Sequence, residues 1–398
     1  MLLDEIKRMS YDELKKLAED IRKRITEVVL KNGGHLASNL GTIELTLALY
    51  RVFDPREDAI IWDTGHQAYT HKILTGRDDL FHTIRTFGGL SGFVTRRESP
   101  LDWFGTGHAG TSIAAGLGFE KAFELLGEKR HVVVVIGDGA LTSGMALEAL
   151  NQLKNINSKM KIILNDNGMS ISPNVGGLAY HLSKLRTSPI YLKGKKVLKK
   201  VLEKTEIGFE VEEEMKYLRD SLKGMIQGTN FFESLGLKYF GPFDGHNIEL
   251  LEKVFKRIRD YDYSSVVHVV TKKGKGFTAA EENPTKYHSA SPSGKPKMLS
   301  YSELLGHTLS RVAREDKKNR RHNSCDGRRN RTFHIPERTS RSLLRSRDNG
   351  TDLRNLWSRS RSSRNEACGR HILYLLTESV RSDYSRCSFA ERSRSLCD

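Results

Sequence analysis

Two loops in this sequence pair an oxygen ligand with glycine in a way that suits a metal-bound phosphate. Gly137-Asp138-Gly139 closes one apolar run, and Asn165-Asp166-Asn167-Gly168 closes the next. Mg²⁺ prefers octahedral oxygen coordination and takes few protein ligands, leaving positions for phosphate oxygens. The Asp138 carboxylate, the Asn167 amide and the backbone carbonyl of Met169 make such a set, and glycines at 137 and 139 let the backbone come close to phosphates. A Gly-Asp-Gly alone is an ordinary turn; the asparagine loop one unit later favours metal and diphosphate. Histidine titrates near neutrality and suits proton transfer. His35, His66 and His288 lie in glycine-rich, turn-like motifs and are the acid–base candidates, His35 first. His71, His181 and His246 read as structural or exposed residues, or as weaker candidates. Lys272, Lys273 and Lys275 read as a solvated charged face.

These loops need strands and helices to position them. Residues 4–30 carry apolar residues at helical spacing, with Ser10 and Glu13 as a capping box and Asn32-Gly33-Gly34 as the stop. Residues 41–52 form a second apolar helix, and Ala59-Ile60-Ile61-Trp62 a short strand. The run 131–136 predicts a strand buried on both faces. A helix over 145–153 and a strand over 160–164 complete a right-handed βαβ unit. Residues 197–222 read as a Lys/Glu-rich helix, 239–243 and 265–271 as strands, and 248–259 as the helix between them. Alternating β and α elements predict an α/β fold with a doubly wound, mostly parallel sheet. Ligands of such sheets bind beyond the carboxyl ends of the strands, where Asp138 and Asn167 fall.

Gly137-Asp138-Gly139 with Asn167 in the next strand-end loop resembles the thiamin-diphosphate signature. Further segments narrow the resemblance to the 1-deoxy-D-xylulose-5-phosphate synthase family, thiamin-diphosphate enzymes of the transketolase type. They are residues 34–44 (GHLASNLGTIE), 62–77 (WDTGHQAYTHKILTGR), 107–112 (GHAGTS), 164–172 (LNDNGMSIS), 241–246 (GPFDGH) and 273–277 (KGKGF), with Tyr287-His288 after them. The resemblance runs in order to about Lys318.

It implies the thiamin-diphosphate-binding fold, with thiamin diphosphate and Mg²⁺ as cofactors. It assigns Asp138 and Asn167 to the metal. His66, Gly107, His108 and Ala109 line the cofactor, as do Gly139, Ala140 and Asn167. Phe277 stands where the family often has Tyr, so it stacks without donating a hydrogen bond. Gly168 departs from the commoner Asn-Glu, with the metal ligand Asn167 retained. The implied reaction condenses pyruvate with glyceraldehyde 3-phosphate with loss of CO₂, feeding isoprenoid, thiamin and pyridoxal synthesis; the cofactor carries its hardest chemistry. A homodimer is the family's usual form, and the composition leads one to expect a soluble cytoplasmic protein. Transketolase proper is the near alternative, disfavoured by the 63–77 segment.

The chain's composition changes near Lys318. Of its 398 residues, 1–318 hold 47 Lys and Arg against 40 acidic residues, whereas 319–398 hold 18 Arg, no Lys and 9 acidic residues. More than half of the net charge of +16 therefore sits in the last fifth, with all four cysteines and no methionine. The cysteines lack metal-ligand spacing. Hydrophobic periodicity fails there except over 371–377, so 319–398 read as a low-order Arg/Ser-rich tail. Sparse aromatic residues and irregular Arg-Ser pairs speak against a nucleic-acid arm. The family's second domain carries a glutamate in a string like Asp-x-Gly-Ile-x-Glu-Gln, which is absent here. Codons permitted for Arg345 to Asp352 regroup in another frame to Asp-Leu-Gly-Ile-Thr-Glu-Gln. The expectation is a frame lost near Lys318, a truncated chain without the pyrimidine-binding and C-terminal domains, and either no turnover or cofactor binding alone. No apolar run is long enough to span a bilayer, and the first residues lack the order of a signal peptide.

Overall fold

The computed structural model describes residues 2–105, 107–171, 173–187 and 231–292, together with the backbone of Arg321–Asn323 and Leu343–Arg345. The predicted helices at 197–222 and the apolar run 371–377 lie outside the described residues, as does nearly all of the tail.

The first predicted helix is two. α1 (Leu2–Ile6) ends before α2 (Tyr11–Asn32) begins at its N-cap Ser10, where the Ser10–Glu13 capping box forms in both directions. Gly33 closes α2 with a left-handed φ of 84°. A short α3 (Leu36–Leu40) and the buried α4 (Ile43–Val52) lead to β1 (Ala59–Trp62). The chain continues through α5 (Tyr69–Lys72), α6 (Ser112–Leu126), β2 (Val132–Gly137), α7 (Gly144–Leu153) and β3 (Lys161–Asp166). After α8 (Gly177–Arg186) and α9 (Phe231–Ser234) come β4 (Lys238–Asp244), α10 (Ile248–Arg259), β5 (Ser265–Val270) and α11 (Thr278–Glu282).

The five strands form one wholly parallel sheet in the order β1-β2-β3-β5-β4. Side chains alternate between its faces. Ile60, Trp62, Val133 and Val135 point into a core with α2, α4 and α10, whereas Ile61, Val132, Val134 and Ile136 point into a second core with α6 and α7. Helices on both faces make the sheet doubly wound, as the alternation predicts, and explain why β2 is apolar throughout. In the tail, Arg321–Asn323 and Leu343–Arg345 pair as two short parallel strands, β6 and β7. The sequence pattern does not announce them, because three-residue strands carry no readable periodicity. Among the described residues no helix is long and apolar enough to cross a membrane.

Candidate functional site

Parallel register places the carboxyl ends of β1, β2, β3 and β5 side by side: Trp62 pairs with Val135, Gly137 with Asn165, and Asp166 with Val270. The loops that follow these strands therefore converge at one edge of the sheet. The loops of Asp138, Asn167, His66 and Lys273 begin there, and those of His35 and His288 pack on them.

Asp138 follows β2 and is 4% exposed. Its Oδ1 accepts the Gly139 N–H at 2.9 Å and its Oδ2 the Gly168 N–H at 2.7 Å. The Asp166 carboxylate, also buried, shares the Gly168 N–H at 3.0 Å. Burial raises the Asp138 carboxyl well above its ordinary range, and the neighbouring Asp166 raises it further. Asp166 is itself buried, yet its proton affinity stays low because His268 Nε2 (2.8 Å) and Arg186 Nη1 (3.0 Å) bond to it. In the next loop Asn167 turns its Oδ1 onto the Met169 N–H at 3.2 Å. A cavity of about 290 Å³ opens on these groups, lined by Asp138, Asp166, Gly168, Asn174 and the α8 side chains Tyr180 and Arg186. Two adjoining carboxylates in such a hollow suit a divalent cation, which relieves their mutual repulsion. Among the described residues no three His, Cys, Asp or Glu side chains gather as a metal set. The Asp138 carboxylate, the Asn167 amide and the Met169 carbonyl are oxygen donors of the kind that suit Mg²⁺ and not zinc.

The three candidate histidines come from distant segments and meet. His35 caps α3, His66 follows β1, and His288 lies beyond α11. Ring centroids are 5.2 Å apart for His35–His66, 5.5 Å for His35–His288 and 5.7 Å for His66–His288. Asn39 sets two of them, its Nδ2 donating to the carbonyls of His35 (2.6 Å) and His66 (2.8 Å) while its Oδ1 accepts the Tyr69 N–H. His66 Nδ1 is buried without a hydrogen-bond partner among the described residues. Burial lowers the His66 pKa to about 3, and the charge of Lys273 adds to that. A neutral imidazole with an open nitrogen is ready to bond an incoming group.

Lys273 joins the two halves of the site. It is 7% exposed, not part of a solvated face, which corrects the sequence expectation. Its Nζ lies 3.0 Å from His288 Nδ1 and donates to the Ser170 carbonyl in the loop after β3. Burial brings its pKa down to about 8, against the attraction of Asp138. The expectation failed because the three lysines differ in direction: Lys272 is exposed and pairs with Glu281, while its neighbour points inward.

The 107–112 loop is clamped by Asp63, which is 1% exposed at the end of β1. Its carboxylate accepts the Gly110 N–H (2.9 and 3.0 Å), the Ser112 N–H (3.1 Å) and the Ser112 hydroxyl (2.6 Å). A carboxylate at the start of α6 also meets the positive end of that helix. Gly110 has φ 81°, and a Cβ there would fall 1.6 Å from Ser143 Oγ, so only glycine fits. Asp63 reads as a turn residue in the sequence; its three donors become visible only when the loop 47 residues later folds back.

Of the remaining candidates, Gly139 and Ala140 turn directly after Asp138, and a Cβ on Gly139 would press on Ser170 at 2.8 Å. Gly107, with φ 72°, and Ala109 are partly buried, whereas His108 is exposed. Phe277 packs edge-to-face on Tyr287 with centroids 5.6 Å apart. His71 is fully buried between Tyr50 and Asp102, and His246 bonds Glu44 and the Lys272 N–H, both as structural groups.

A family model described as 1-deoxy-D-xylulose-5-phosphate synthase matches residues 2–271. A 1-deoxy-D-xylulose-5-phosphate synthase of Thermotoga maritima is 99% identical over 318 residues, which are 80% of this chain and 52% of that protein. Those of Dictyoglomus turgidum and Clostridium kluyveri are 54% and 50% identical over 308 and 324 residues, covering 77% and 79% of this chain and 50% and 52% of theirs. The chain spans about half the length of the curated relatives it matches. Among solved structures, a transketolase from Campylobacter jejuni shares the fold with a TM-score of 0.52 at 20% identity, covering 84% of this chain and 46% of that one.

Proposed function

The chain belongs to the 1-deoxy-D-xylulose-5-phosphate synthase family, and from that membership we propose that residues 1–318 form the half-site that anchors thiamin diphosphate and Mg²⁺. The observation that carries the reading is the meeting of His35, His66 and His288, tied by Lys273 to the Asp138–Asn167 loops.

Asp138, Asn167 and the Met169 carbonyl would hold the ion against the diphosphate. Gly107, His108, Ala109, Gly139 and Ala140 would form the cradle, with Phe277 beside it. Thiamin diphosphate, when bound, supplies the nucleophilic carbon and the electron sink for decarboxylation of pyruvate. The chain's own part is to orient and to manage protons. His66, kept neutral by burial, offers Nδ1 as a hydrogen-bonding atom; His35 and His288 hold or return a proton at the oxygen of the acceptor, glyceraldehyde 3-phosphate; Lys273 fixes His288 and balances Asp138. Transketolase proper fits less well, since the family model that matches is that of the synthase.

A second reading concerns the chain as it stands. It spans half the length of its relatives, and residues 319–398 lack the glutamate string of the second domain. The 318-residue extent of the 99% match equals the number of residues before the composition break, which supports a boundary at Lys318 with a tail translated out of frame. We therefore expect cofactor binding without appreciable turnover, and homodimeric, cytoplasmic enzyme only from the full-length form. Calorimetric titration with thiamin diphosphate and Mg²⁺, run beside a product assay from pyruvate and glyceraldehyde 3-phosphate, tests both readings. Binding without product supports them together. No binding removes the anchoring role, and rapid product formation removes the incompetence.

A further inference from the structure

Residues 91–102 run as a strap across the segment 69–77, fastened by the fully buried Asp102 and the partly buried Glu98. Asp102 is 0% exposed; its carboxylate bonds His71 Nε2 (2.7 Å), both terminal nitrogens of Arg77 (2.7 and 2.8 Å) and the Thr95 N–H (3.1 Å). Glu98 pairs with the buried Lys72, and its other oxygen accepts the Ser91 N–H at 2.5 Å. Two carboxylates on the strap thus meet three buried basic side chains beneath it. Buried pairs of this kind are weak sources of net stability and strong sources of fixed geometry when fully bonded.

What the geometry fixes is Phe93. Its ring lies 5.5 Å from that of His35, edge-to-face, and a methyl group placed on Gly107 would sit 3.9 Å from it. The backbone beside it is threaded with no slack: a Cβ on Gly65 would fall 2.8 Å from the Val94 nitrogen, and one on Gly105 only 1.9 Å from the Val94 oxygen. Phe93 stands between the histidine cluster and the 107–112 loop.

We propose that Phe93 is a positioning residue that sets the ring of His35 and the backbone of Gly107 against one another, and that the Glu98 and Asp102 clamps exist to hold it there. This rests on the reading in which His35 moves a proton and Gly107 belongs to the diphosphate cradle. The ring acts by contact alone: it restricts His35 to one orientation and keeps bulk water from its flank.

Carbethoxylation of the 398-residue chain with diethyl pyrocarbonate, resolved histidine by histidine by mass spectrometry, tests the placement without cofactor. In Phe93→Ala the rate at His35 should rise several-fold, while exposed His108 keeps its rate and fully buried His71 stays protected. Phe93→Tyr, which keeps the ring, should restore the wild-type rate, and Glu98→Gln should raise it by a smaller factor. An unchanged His35 rate in Phe93→Ala overturns the proposal. So does a parallel rise at His71, which would make Phe93 a packing residue of the strap. Thiamin diphosphate titrations on the same variants should show weaker binding in Phe93→Ala and recovery in Phe93→Tyr. If the wild-type chain itself fails to bind, the anchoring function falls while the labelling result still decides the role of Phe93.

Discussion

Lys273 Nζ lies 3.0 Å from Nδ1 of His288 while donating, in the other direction, to the carbonyl of Ser170. One buried side chain therefore spans the gap between the three-histidine cluster and the loop that follows Asn167. In the reading proposed above, the proton-handling and metal-holding parts of the site share it.

Replacing Lys273 with Met should weaken binding of thiamin diphosphate with Mg²⁺ by roughly tenfold, the scale of one hydrogen bond to a charged group. Titration calorimetry reads this directly. Equal affinities would show that Lys273 serves packing only.

Acid should destabilise the fold through His66. Burial holds its folded pKa near 3, below the ordinary 6.5 of the unfolded chain. Between those values the unfolded state binds the extra proton, so stability is full above about pH 6.5 and falls as pH drops toward 3. The slope is at most about 1.4 kcal/mol per pH unit for this one group. His71, lowered by burial as well, adds in the same direction. Urea midpoints of wild type and His66→Gln, compared from pH 7 to pH 5, should diverge in wild type's disfavour. Parallel lines would show that His66 titrates normally.

Asp63→Ala should cost roughly 1–3 kcal/mol of stability, because the N–H groups of Gly110 and Ser112 lose their acceptor inside the fold. The same variant should bind thiamin diphosphate more weakly, since the 107–112 loop loses its anchor. Chemical denaturation and titration check the two effects separately; a stable variant with intact binding would free the loop from Asp63.

Asp138→Asn should separate folding from metal dependence. In wild type, thiamin diphosphate and Mg²⁺ at a hundred times their dissociation constant should stabilise the chain by about 2.7 kcal/mol. The variant should show almost no ligand-induced rise in melting temperature, while its ligand-free melting temperature stays near that of wild type, because the repulsion from Asp166 is gone but one backbone N–H loses its acceptor. A full ligand response in Asp138→Asn would take the metal away from this carboxylate.

Much of this arrangement is legible in the chain. The strands at 59–62, 132–137 and 265–270 announce themselves by apolar β-branched runs, the helix 248–259 by its periodicity, and the start of α2 by Ser10 and Glu13. The loops after β2 and β3 point to their chemistry through Asp138 and Asn167. Other features rest on contacts between distant residues. Ser112–Leu126 is a helix whose Ala- and Gly-rich first turns carry no polar stripe, so its pattern has no clear period. Lys273 looks like one of three solvated lysines until the carbonyl of Ser170, 103 positions earlier, accepts its hydrogen bond. The strap passes unnoticed because Glu98 and Asp102 look like loop charges, and only folding brings Lys72, Arg77 and His71 beneath them.

The strand order also sets a sequence of events in time. β4 is made before β5, yet it joins the sheet only through β5, which pairs with β3 on its other side. On a ribosome, Lys238–Asp244 must wait for Ser265–Val270 to emerge, and so must Asp166, whose partner His268 lies within β5. Pairings across such separations form slowly. The Asp138–Asp166 hollow is therefore complete only once β5 has joined β3, because His268 brings Asp166 its buried partner.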